Sequence, residues 1–568
     1  MKFSQGLIKT RRDLPSDAEL ISHQLMIKAG LISQVFSGVY TFLPLGMKVL
    51  EKIKNIVRQE MNKIMGLEIL MPALQPKEIW DKSERSLAFG DSLFRFKDRR
   101  DRSLVLAPTH EEVVTLLAKD NIQSYKDLPL MLYQIQTKFR DEPRPRGGLL
   151  RVREFDMKDA YSFHDSWDSL DQTYTDVSQA YESIFTRCNV NTLGVEADSG
   201  AIGGKDSQEY MAPLESGEDT VIKCVNCGYA ANLEKAVFKL DDIENTEASK
   251  SIEKIETPNV TTIEDLSNFL NVDLTKILKT ICYVYEDELI FAVIRGDLEI
   301  NEIKLGNILG GGNLRLANKA EIENISVVGF TSPVNLPNVK VILDSSLSQG
   351  VNFIGGANEK DFHLLNINPK NDFNVEITAD IGLVPKNGKC LHCGSDFEFI
   401  RGMELGHIFK LGDVFSKKLE AFYLNKKGER IPLLMGCYGI GIGRLLAAII
   451  ESNYDDDGII FPPEISPFDL HLIGLNLDDI EVVKAAQELY AKLQELGIDV
   501  IFDDRDNVSP GVKFKDSDLI GVNLRAVISK RNIENNVIEF KFRNSKDVNV
   551  IETQDLTKYL KSYINKLN

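Results

Sequence analysis

The residues best suited to chemistry lie close together at positions 139–164, in the stretch FRDEPRPRGGLLRVREFDMKDAYSFH. Arg140 and Arg151 stand on either side of a segment with two prolines and two glycines, which predicts two strands joined by a turn. A guanidinium group is permanently charged, and its forked donors match phosphate oxygens. Glu142 can accept a hydrogen bond from an exocyclic amine of a base, and Phe155 can stack on a purine. The spacing predicts a hairpin that wraps around a nucleoside triphosphate; the alternative is a solvated, charged hairpin on the surface.

A second stretch, LMGCYGIGIGRLLAAIIES, predicts a strand, a Gly-rich turn and an apolar helix that contains Arg444. The competing interpretation is a dinucleotide-binding turn. However, Gly439, Gly441 and Gly443 do not form G-x-G-x-x-G, and the acidic run DDD follows the helix rather than a second strand. Glycine also lets a helix pack closely on a sheet. By itself, this stretch predicts only a strand, a turn and a helix that carries an arginine.

Composition limits the class of protein. The chain of 568 residues is long enough for three or four domains, and its 43% hydrophobic and 27% charged residues are typical of globular proteins. A net charge of −18 argues against nonspecific coating of nucleic acid, although local basic patches can still bind RNA. The first residues lack the apolar core of a signal peptide, and no apolar run is long enough to span a membrane. Together with an odd number of cysteines, seven, these features predict a cytoplasmic protein with no membrane segment.

Changes in sequence pattern divide the chain into four parts. Alternating helical and extended patterns fill residues 1–222 and include LEILMPALQP, an extended stretch that Pro72 should stop. Residues 223–400 contain two CxxCG knuckles and have the pattern of an α/β domain inserted into a host. The host resumes at 401–465, and a Pro-rich hinge precedes a final α/β domain at 466–568. The fold class predicted is multidomain α/β.

The four knuckle cysteines, Cys224, Cys227, Cys390 and Cys393, have the spacing of a zinc ribbon. Each CxxC pair presents two thiolates from a tight turn, and four thiolates are a common ligand set for structural Zn²⁺. A structural zinc site and four free thiols both remain open from the sequence.

Three motifs together resemble a known family. LEILMPALQP, FRDE…RVREF and GIGIGRLL are similar, in this order, to motifs 1, 2 and 3 of class II aminoacyl-tRNA synthetases. APTHEE, MKDAYSFH, GHIFKLG, MGCYGIGIGR and PGVKFKDSDLIG extend the resemblance to bacterial-type prolyl-tRNA synthetases along nearly the whole chain. The resemblance implies an antiparallel-sheet catalytic core, an inserted α/β editing domain and a C-terminal α/β anticodon-binding domain. It also implies a homodimer, with motif 1 near the two-fold axis.

The resemblance assigns roles at the nucleotide site. Arg140 would bridge the α-phosphate of ATP and the carboxylate of proline, and with Arg444 it would carry the catalytic charge. Glu142 would accept the adenine amino group, Phe155 would stack on the base, and Arg151 and Arg444 would hold the distal phosphates. Mg²⁺ would supply further positive charge, and the sequence does not indicate its ligands.

The same resemblance implies a proline pocket. Thr109 and Glu111 would form its binding loop, with Glu111 as counter-ion to the imino group; the alternative is a helix N-cap followed by first-turn acids. Further pocket positions are Arg140, His164, Glu209 and Cys437. Gln208 stands where many relatives have His, so this chain departs from the family pattern there.

The inserted domain would hydrolyse mischarged alanyl-tRNA(Pro), because a pocket for proline cannot exclude the smaller alanine sterically. The resemblance places this editing site at Lys279, Asp344, Gly355, Gly356 and His363, with Lys279 anchoring the tRNA 3′ end. Taken singly, Lys279 could equally be a surface lysine and His363 a satisfied strand histidine. The relatives lack the knuckle cysteines, which leaves the zinc site open.

In the last domain the resemblance implies anticodon recognition, with RNA contacts expected at Arg505, Lys513, Lys515 and Arg525. The enzyme expected from all these features activates proline with ATP and transfers it to the 3′ end of tRNA(Pro). Three other protein classes are alternatives to this enzyme. They are a class II ligase for another amino acid, a synthetase-like regulatory protein without activation, and a metal-dependent nucleic-acid-binding module built around the knuckles.

Overall fold

The computed structural model describes residues 1–14, 18–204, 206–240, 247–336 and 338–567, and only the backbone of residues 201 and 563–567. The chain divides into two compact units. Unit 1 comprises Met1–Gly194, Ser199–Glu218 and Arg401–Asn568, and unit 2 comprises Val195–Asp198 and Asp219–Ile400. Unit 2 is therefore inserted into the sequence of unit 1.

A largely antiparallel sheet forms the centre of unit 1. Its strands lie in the order Leu67–Glu68, Leu130–Phe139, Glu154–His164, Leu434–Gly441, Phe397–Gly412 and Asp206–Pro213. The short strand Leu67–Glu68 runs parallel to its neighbour. Alternate residues point to opposite faces, so Tyr161 and Cys437 lie on one face, which we call the pocket face. Ala160 and Tyr438 lie on the other, the helix face.

Helices cover both faces of this sheet. Pro44–Lys63, Trp167–Arg187 and Ile442–Ser452 bury apolar residues in the cluster on the helix face. Pro44 occupies the first turn of its helix, where its missing N–H leaves no hydrogen bond unmade. On the pocket face, Glu111–Asn121 buries Val114 and Ala118 against the sheet. This helix brings the acidic residues of its first turn to the pocket.

The C-terminal part of unit 1 has its own sheet and core. Its strands lie in the order Val500–Asp503, Leu470–Gly474, Leu524–Ile528, Val537–Phe542 and Val548–Glu552. The first three strands run parallel, Val537–Phe542 is antiparallel to Leu524–Ile528, and Val548–Glu552 is antiparallel to Val537–Phe542.

Unit 2 contains two sheets. The larger has the order Leu314–Leu316, Leu278–Tyr285, Glu288–Arg295, Lys340–Asp344 and Ile377–Ala379, and the smaller the order Glu253–Glu256, Phe362–Ile367 and Phe353–Gly356. Separate apolar clusters lie on the two faces of the larger sheet. The remaining strands of unit 2 are Asp219–Cys224, Ala230–Asn232, Phe238–Lys239 and Lys389–Cys390, and its α-helices are Ile263–Leu270, Glu302–Ile308, Lys319–Glu323 and Pro369–Asp372.

Shorter elements complete the fold. The other α-helices are Ile21–Lys28, Lys77–Lys82, Arg85–Ala88, Val414–Lys418, Ile480–Glu495, Pro510–Ile520, Lys530–Glu534 and Leu556–Leu567. The other strands are Ile32–Phe36, Val39–Phe42, Leu74–Pro76, Arg95–Lys97, Ser103–Leu106, Leu193–Ala197, Phe422–Leu424, Arg430–Pro432, Tyr454–Asp455 and Gly458–Ile459. Within the described ranges, none of the helices combines the length and apolar character needed to cross a membrane.

Candidate active site

Arg140 stands at the mouth of the hairpin, directly after the strand Leu130–Phe139. Its backbone N–H donates to the Arg153 carbonyl at 2.9 Å, which closes the base of the turn. Its guanidinium carbon lies 5.4 Å from the centre of the Phe155 ring, and its buried Nε has no hydrogen-bond partner among the described residues. Burial lowers the pKa of Arg140, and the nearby positive charge of Arg444 lowers it further. A buried cation with an unused donor is suited to binding an anion.

The remaining nucleotide-site residues surround Arg140. Arg151 forms an ion pair of 2.9 Å with Glu142, and its side chain is 42% exposed. Arg444 follows the Gly-rich strand in the first turn of Ile442–Ser452, donating from Nε to the Leu150 carbonyl at 3.0 Å. The structure therefore brings Arg140, Phe155 and Arg444 together, and it ties Arg444 to the hairpin through Leu150.

An acidic group that the sequence did not reveal adjoins Arg444. Glu404 accepts a hydrogen bond from Arg444 at 2.9 Å, and the ligand atoms of Glu209, Glu404 and His407 all lie within 4.8 Å of one another. Loss of solvent alone would raise the pKa of Glu404, but His407 and Arg444 outweigh this and hold it well below its usual range. Two carboxylates and an imidazole in this arrangement could hold a divalent cation.

A β-bulge creates this group. Gly406 pairs with Tyr210 and Glu404 with Met211, so Leu405 is an extra residue in its strand. Without the bulge, residues 404 and 407 would point to opposite faces. The spacing E-x-x-H in ELGHIF was the signal available, and it becomes informative only once the bulge is known.

The proline-pocket residues Thr109 and Glu111 meet Cys437 on the pocket face. Glu111 is fully buried, and its carboxylate accepts from Thr109 Oγ1 at 2.6 Å, from Arg85 at 2.9 Å and from Cys437 Sγ at 3.1 Å. Burial alone would raise the pKa of Glu111, but Arg85, Thr109 and Cys437 hold it below its usual value. The carboxylate therefore stays ionised and fixed in position. Burial raises the pKa of the Cys437 thiol far above its usual value, which makes it a hydrogen-bond donor rather than a nucleophile.

A buried hydrogen-bond network supports this loop from below. The His110 backbone N–H donates to the Tyr161 hydroxyl at 3.0 Å, and that hydroxyl donates to Asp159 at 2.8 Å. Gln134 also donates to Asp159, at 2.9 Å, and Lys138 forms a buried ion pair with it at 2.7 Å. The Tyr161 hydroxyl also lies 3.5 Å from Thr109 Oγ1, so the network reaches the predicted pocket, and sequence reasoning did not identify it.

His164 is not brought to Glu111. His164 lies on the helix face, three residues along the strand from Tyr161, with its Nδ1 2.8 Å from Ser169 Oγ and its Nε2 2.8 Å from Ser162 Oγ. Burial lowers the pKa of His164 to about 4, so the ring is neutral. The strand alternation gives the physical reason for this placement. Glu209 pairs with His407 on the pocket face, and its carboxylate also belongs to the group with Glu404.

In unit 2 the predicted editing residues form two groups. Lys279 pairs with Ile294, and Asp344 follows Leu343, the partner of Val293, so both side chains lie on one face of the larger sheet. Lys279 donates to Glu299 at 2.6 Å. Burial raises the pKa of Asp344, whose carboxylate accepts two backbone N–H groups.

The other group, Gly355, Gly356 and His363, belongs to the smaller sheet. His363 pairs with Gly356, and its Nδ1 lies 2.6 Å from Thr257 Oγ1. A Cβ at position 356 would lie 2.1 Å from the Phe330 carbonyl oxygen, so only glycine permits this close approach of two backbones.

The four knuckle cysteines converge in unit 2. The Sγ atoms of Cys224 and Cys393 are 3.4 Å apart, those of Cys227 and Cys390 are 3.6 Å apart, and all four lie within 4.8 Å of one another. Tetrahedral Zn²⁺ with Zn–S bonds of about 2.3 Å requires S···S distances of about 3.8 Å. The donor set and its spacing therefore fit a tetrahedral metal ion.

Three of the four predicted RNA contacts in the last domain have partners within the chain. Lys513 is buried and donates to the Gly474 carbonyl at 2.7 Å. Arg505 is paired with Asp503 and Asp516, and Arg525 with Asp518. Lys515 is the exposed one of the four.

Comparison with known proteins identifies the family. Residues 94–453 match the tRNA synthetase class II core domain (G, H, P, S and T), and residues 469–563 match the anticodon binding domain. A proline–tRNA ligase of Dehalococcoides mccartyi is 50% identical over 97% of this chain and 97% of that protein, and one from Thermoanaerobacter is 45% identical over 99% of both. Prolyl-tRNA synthetase of Giardia lamblia, solved with prolyl-adenylate, has a TM-score of 0.57 at 16% identity, covering 94% of this chain and 73% of that one. The fold class predicted from the motifs is confirmed, and the chain belongs to the proline–tRNA ligase family of class II aminoacyl-tRNA synthetases.

Proposed function

We propose that the site around Arg140 joins proline to ATP and then charges tRNA(Pro). The carboxylate oxygen of proline attacks the α-phosphorus, the bond to the bridging oxygen breaks, and pyrophosphate leaves. A hydroxyl of the 3′-terminal ribose then attacks the carbonyl carbon of prolyl-adenylate, AMP leaves, and the hydroxyl proton is released to solvent. The observation that supports this most is the buried Arg140 guanidinium with an unused donor, because the first step brings two anions together.

The surrounding residues have separate tasks in this proposal. Arg140 neutralises the α-phosphate and the proline carboxylate, while Arg151 and Arg444 bind the distal phosphates. Glu142 accepts the adenine amino group, with Arg151 as its present partner. Phe155 stacks on the base.

In the proline pocket, Glu111 is the counter-ion to the secondary ammonium of proline. Arg85, Thr109 and Cys437 hold its carboxylate in place, so the charge is ready before the substrate arrives. His164 has a positioning role, because it joins its own strand, through Ser162, to the helix Trp167–Arg187, through Ser169.

The carboxylates of Glu404 and Glu209 would hold Mg²⁺ beside Arg444, because Mg²⁺ prefers oxygen ligands. A divalent ion there would neutralise charge on the phosphates. The low pKa of Glu404 keeps its carboxylate ionised, and binding a cation requires the ionised form.

The inserted unit is proposed to hydrolyse alanyl-tRNA(Pro). Water adds to the ester carbonyl, the ester C–O bond breaks, and the ribose oxygen leaves with a proton. Residues 223–400 would carry this activity, residues 1–222 and 401–465 activation, and residues 466–568 anticodon recognition. The editing residues are Lys279, Asp344, Gly355, Gly356 and His363. Lys279→Ala should spare proline activation and allow alanyl-tRNA to accumulate; unchanged deacylation would count against the assignment.

Four cysteines at these distances are proposed to bind a structural Zn²⁺, and free cysteines in this number suit a cytoplasmic location.

We also propose a homodimer through motif 1. Met65, Leu67, Leu70 and Leu74 are 82%, 56%, 75% and 50% exposed, an apolar surface that a second copy would cover. Leu70→Glu should give monomers in sedimentation velocity, and a monomeric unmodified chain would refute the dimer.

ATP–pyrophosphate exchange with each of the twenty amino acids tests the proposed activation. Proline should lead, with weaker exchange for alanine. Exchange led by another amino acid would refute the pocket assignment, and silence with all twenty would favour a synthetase-like protein without activation.

A further inference from the structure

Unit 2 contains a cavity of about 450 Å³ that borders the knuckles. It opens at the carboxyl ends of Glu288–Arg295 and Lys340–Asp344, and its lining includes Lys239, Lys276 and Arg295. Asp344, one of the predicted editing residues, also lines it. This volume is in the range of small-molecule sites. The lining has mixed charge, because Asp380 also lines the cavity and Arg295 is paired with Asp297 at 2.6 Å, which leaves Lys239 as a cation suited to a phosphate of the ligand.

One wall of the cavity is built from the knuckle segments. Leu391, the residue between Cys390 and His392, lines the cavity directly. Phe238 and Lys239 also line it, and they pair with Cys390 and Lys389 in a ribbon of two residues per strand. Because Cys390 is one of the four converging cysteines, the wall is continuous with the candidate metal site.

Phe238 links two apolar clusters. It packs against the cluster that contains Cys224 and Cys390, and also against the cluster on the sheet face of Ile294 and Ile342. A ribbon this short is marginal by itself, since an isolated two-stranded hairpin has little stability in water. The position of Phe238 therefore depends on whether Cys390 and the other knuckle cysteines are held in place.

We infer that a metal ion bound by the four cysteines holds this wall of the cavity in place, and that hydrolysis of the mischarged ester depends on the metal while proline activation does not. The inference rests on the proposed zinc site and editing function. It adds that the 3′-terminal aminoacyl-adenosine is received against the knuckle wall, beside Asp344. The metal thus takes no part in bond breaking, and acts through Phe238, Lys239 and Leu391.

The test compares the full chain as purified with the same chain after chelation, and then after Zn²⁺ is restored. Three quantities are measured: metal content, alanyl-tRNA(Pro) deacylation, and proline-dependent pyrophosphate exchange. One metal per chain is expected, and its removal should lower deacylation by about tenfold or more, the loss typical when support around a metal site is removed. Pyrophosphate exchange should not change, and Zn²⁺ should restore deacylation.

Hydrogen–deuterium exchange gives a readout that does not depend on activity. Metal removal should speed amide exchange in residues 237–240 and 344–351 and leave residues 130–139 unchanged. Unchanged exchange in residues 237–240, or full deacylation by a metal-free chain, would overturn the inference. If the metal-loaded chain activates proline but does not hydrolyse alanyl-tRNA, the editing proposal fails instead, and amide exchange alone decides whether the metal supports the wall.

Variants separate the metal from the wall. Cys393→Ser removes an exposed cysteine of the metal site and should reproduce chelation. Cys282→Ala removes a thiol of unit 2 that is not in the cluster and should keep both metal and deacylation. Leu391→Asp changes the wall and leaves the four cysteines, so it should retain metal and lose deacylation. Normal deacylation by Leu391→Asp would contradict the placement of the ester against this wall.

Discussion

Replacing Arg140 by alanine should abolish proline activation without destabilising the fold. The guanidinium lies at the meeting point of the two anions in the proposed first step, and its Nε is unused by the described residues. Most buried cations in proteins are paired, and removing them leaves an uncompensated partner. Arg140 is different, because burial and the charge of Arg444 lower its pKa and therefore disfavour its charged form in the folded chain.

The magnitude follows from the bonds at stake. A hydrogen bond to a charged group contributes about 1.5–3 kcal/mol, so losing two such bonds from the transition state costs about 3–6 kcal/mol. This corresponds to a decrease of about 10²- to 10⁴-fold in kcat/KM. The free protein loses the contact with Phe155, and a desolvated cation–π contact is worth about 2 kcal/mol or more. Burial disfavours the charged form of Arg140, which offsets part of this loss, so the free energy of unfolding should change by about 2 kcal/mol at most.

The assay is proline-dependent pyrophosphate exchange, read beside the midpoint of thermal unfolding. Arg140→Lys keeps the charge and loses the fork, so it should lie between the unmodified chain and the alanine variant, about 10- to 150-fold down if one bond is lost. Arg144→Lys makes the same change at an exposed arginine of the same turn and should have no effect. Exchange by Arg140→Ala within about threefold of normal, a difference below about 1 kcal/mol, would refute the reasoning. A large fall in thermal midpoint would show a structural role instead.

Three further predictions concern charges that the structure places. Arg85→Met should lower the free energy of unfolding by about 3–5 kcal/mol and raise the KM for proline, because it leaves Glu111 buried and unpaired. His471 has a pKa lowered to about 4 by burial, so the unfolded chain binds its proton first and stability falls as the pH drops from about 6.5 towards 4. Leucine cannot bind this proton. Between pH 7.5 and pH 5, the free energy of unfolding should therefore fall by about 2 kcal/mol less in His471→Leu than in the unmodified chain. Lys515→Ala should weaken tRNA(Pro) binding without a thermal shift, whereas Lys513→Met should lower the thermal midpoint.

Controls for these predictions are available in the same chain. Arg85→Lys retains a charge near Glu111 and should recover part of the lost stability. An unchanged pH dependence of stability in His471→Leu would contradict the burial argument. If Lys515→Ala binds tRNA(Pro) with normal affinity, the prediction that Lys515 contacts RNA is wrong.

The local elements with strong periodicity could be predicted from the sequence. LMGCYGIGIGRLLAAIIES, predicted as a strand, a turn and an apolar helix, forms the strand Leu434–Gly441 and the helix Ile442–Ser452. LEILMPALQP was predicted as one extended stretch and instead forms Leu67–Glu68 and Leu74–Pro76. Between them the chain leaves the ladder, and Gln134 satisfies the Met71 N–H at 2.9 Å. That contact joins residues 63 positions apart, so no local pattern indicates it.

The site could be predicted in its residue types and less well in its geometry. Motif order indicated Arg140, Phe155 and Arg444, and the structure brings them together. The pairing of Glu404 with His407 required a bulge, which depends on the register of a neighbouring strand. The ion-pair partner of Glu111 is Arg85, which lies 26 positions earlier on a separate short helix, so no local pattern links the two residues. Long-range pairing is thus what the sequence did not reveal.

The rigidity of the proline pocket explains why a single site cannot both accept proline and reject alanine. Glu111 is fixed by three donors from different elements, so the pocket cannot contract around a smaller substrate. An alanine that enters keeps the contacts of its ammonium and carboxylate and loses only methylene packing, which discriminates by about 10- to 200-fold. Tightening the pocket would exclude proline before alanine. The proposed function therefore assigns the remaining selectivity to a second site with its own core, and unit 2 has separate apolar clusters that can support such a site without changing Glu111.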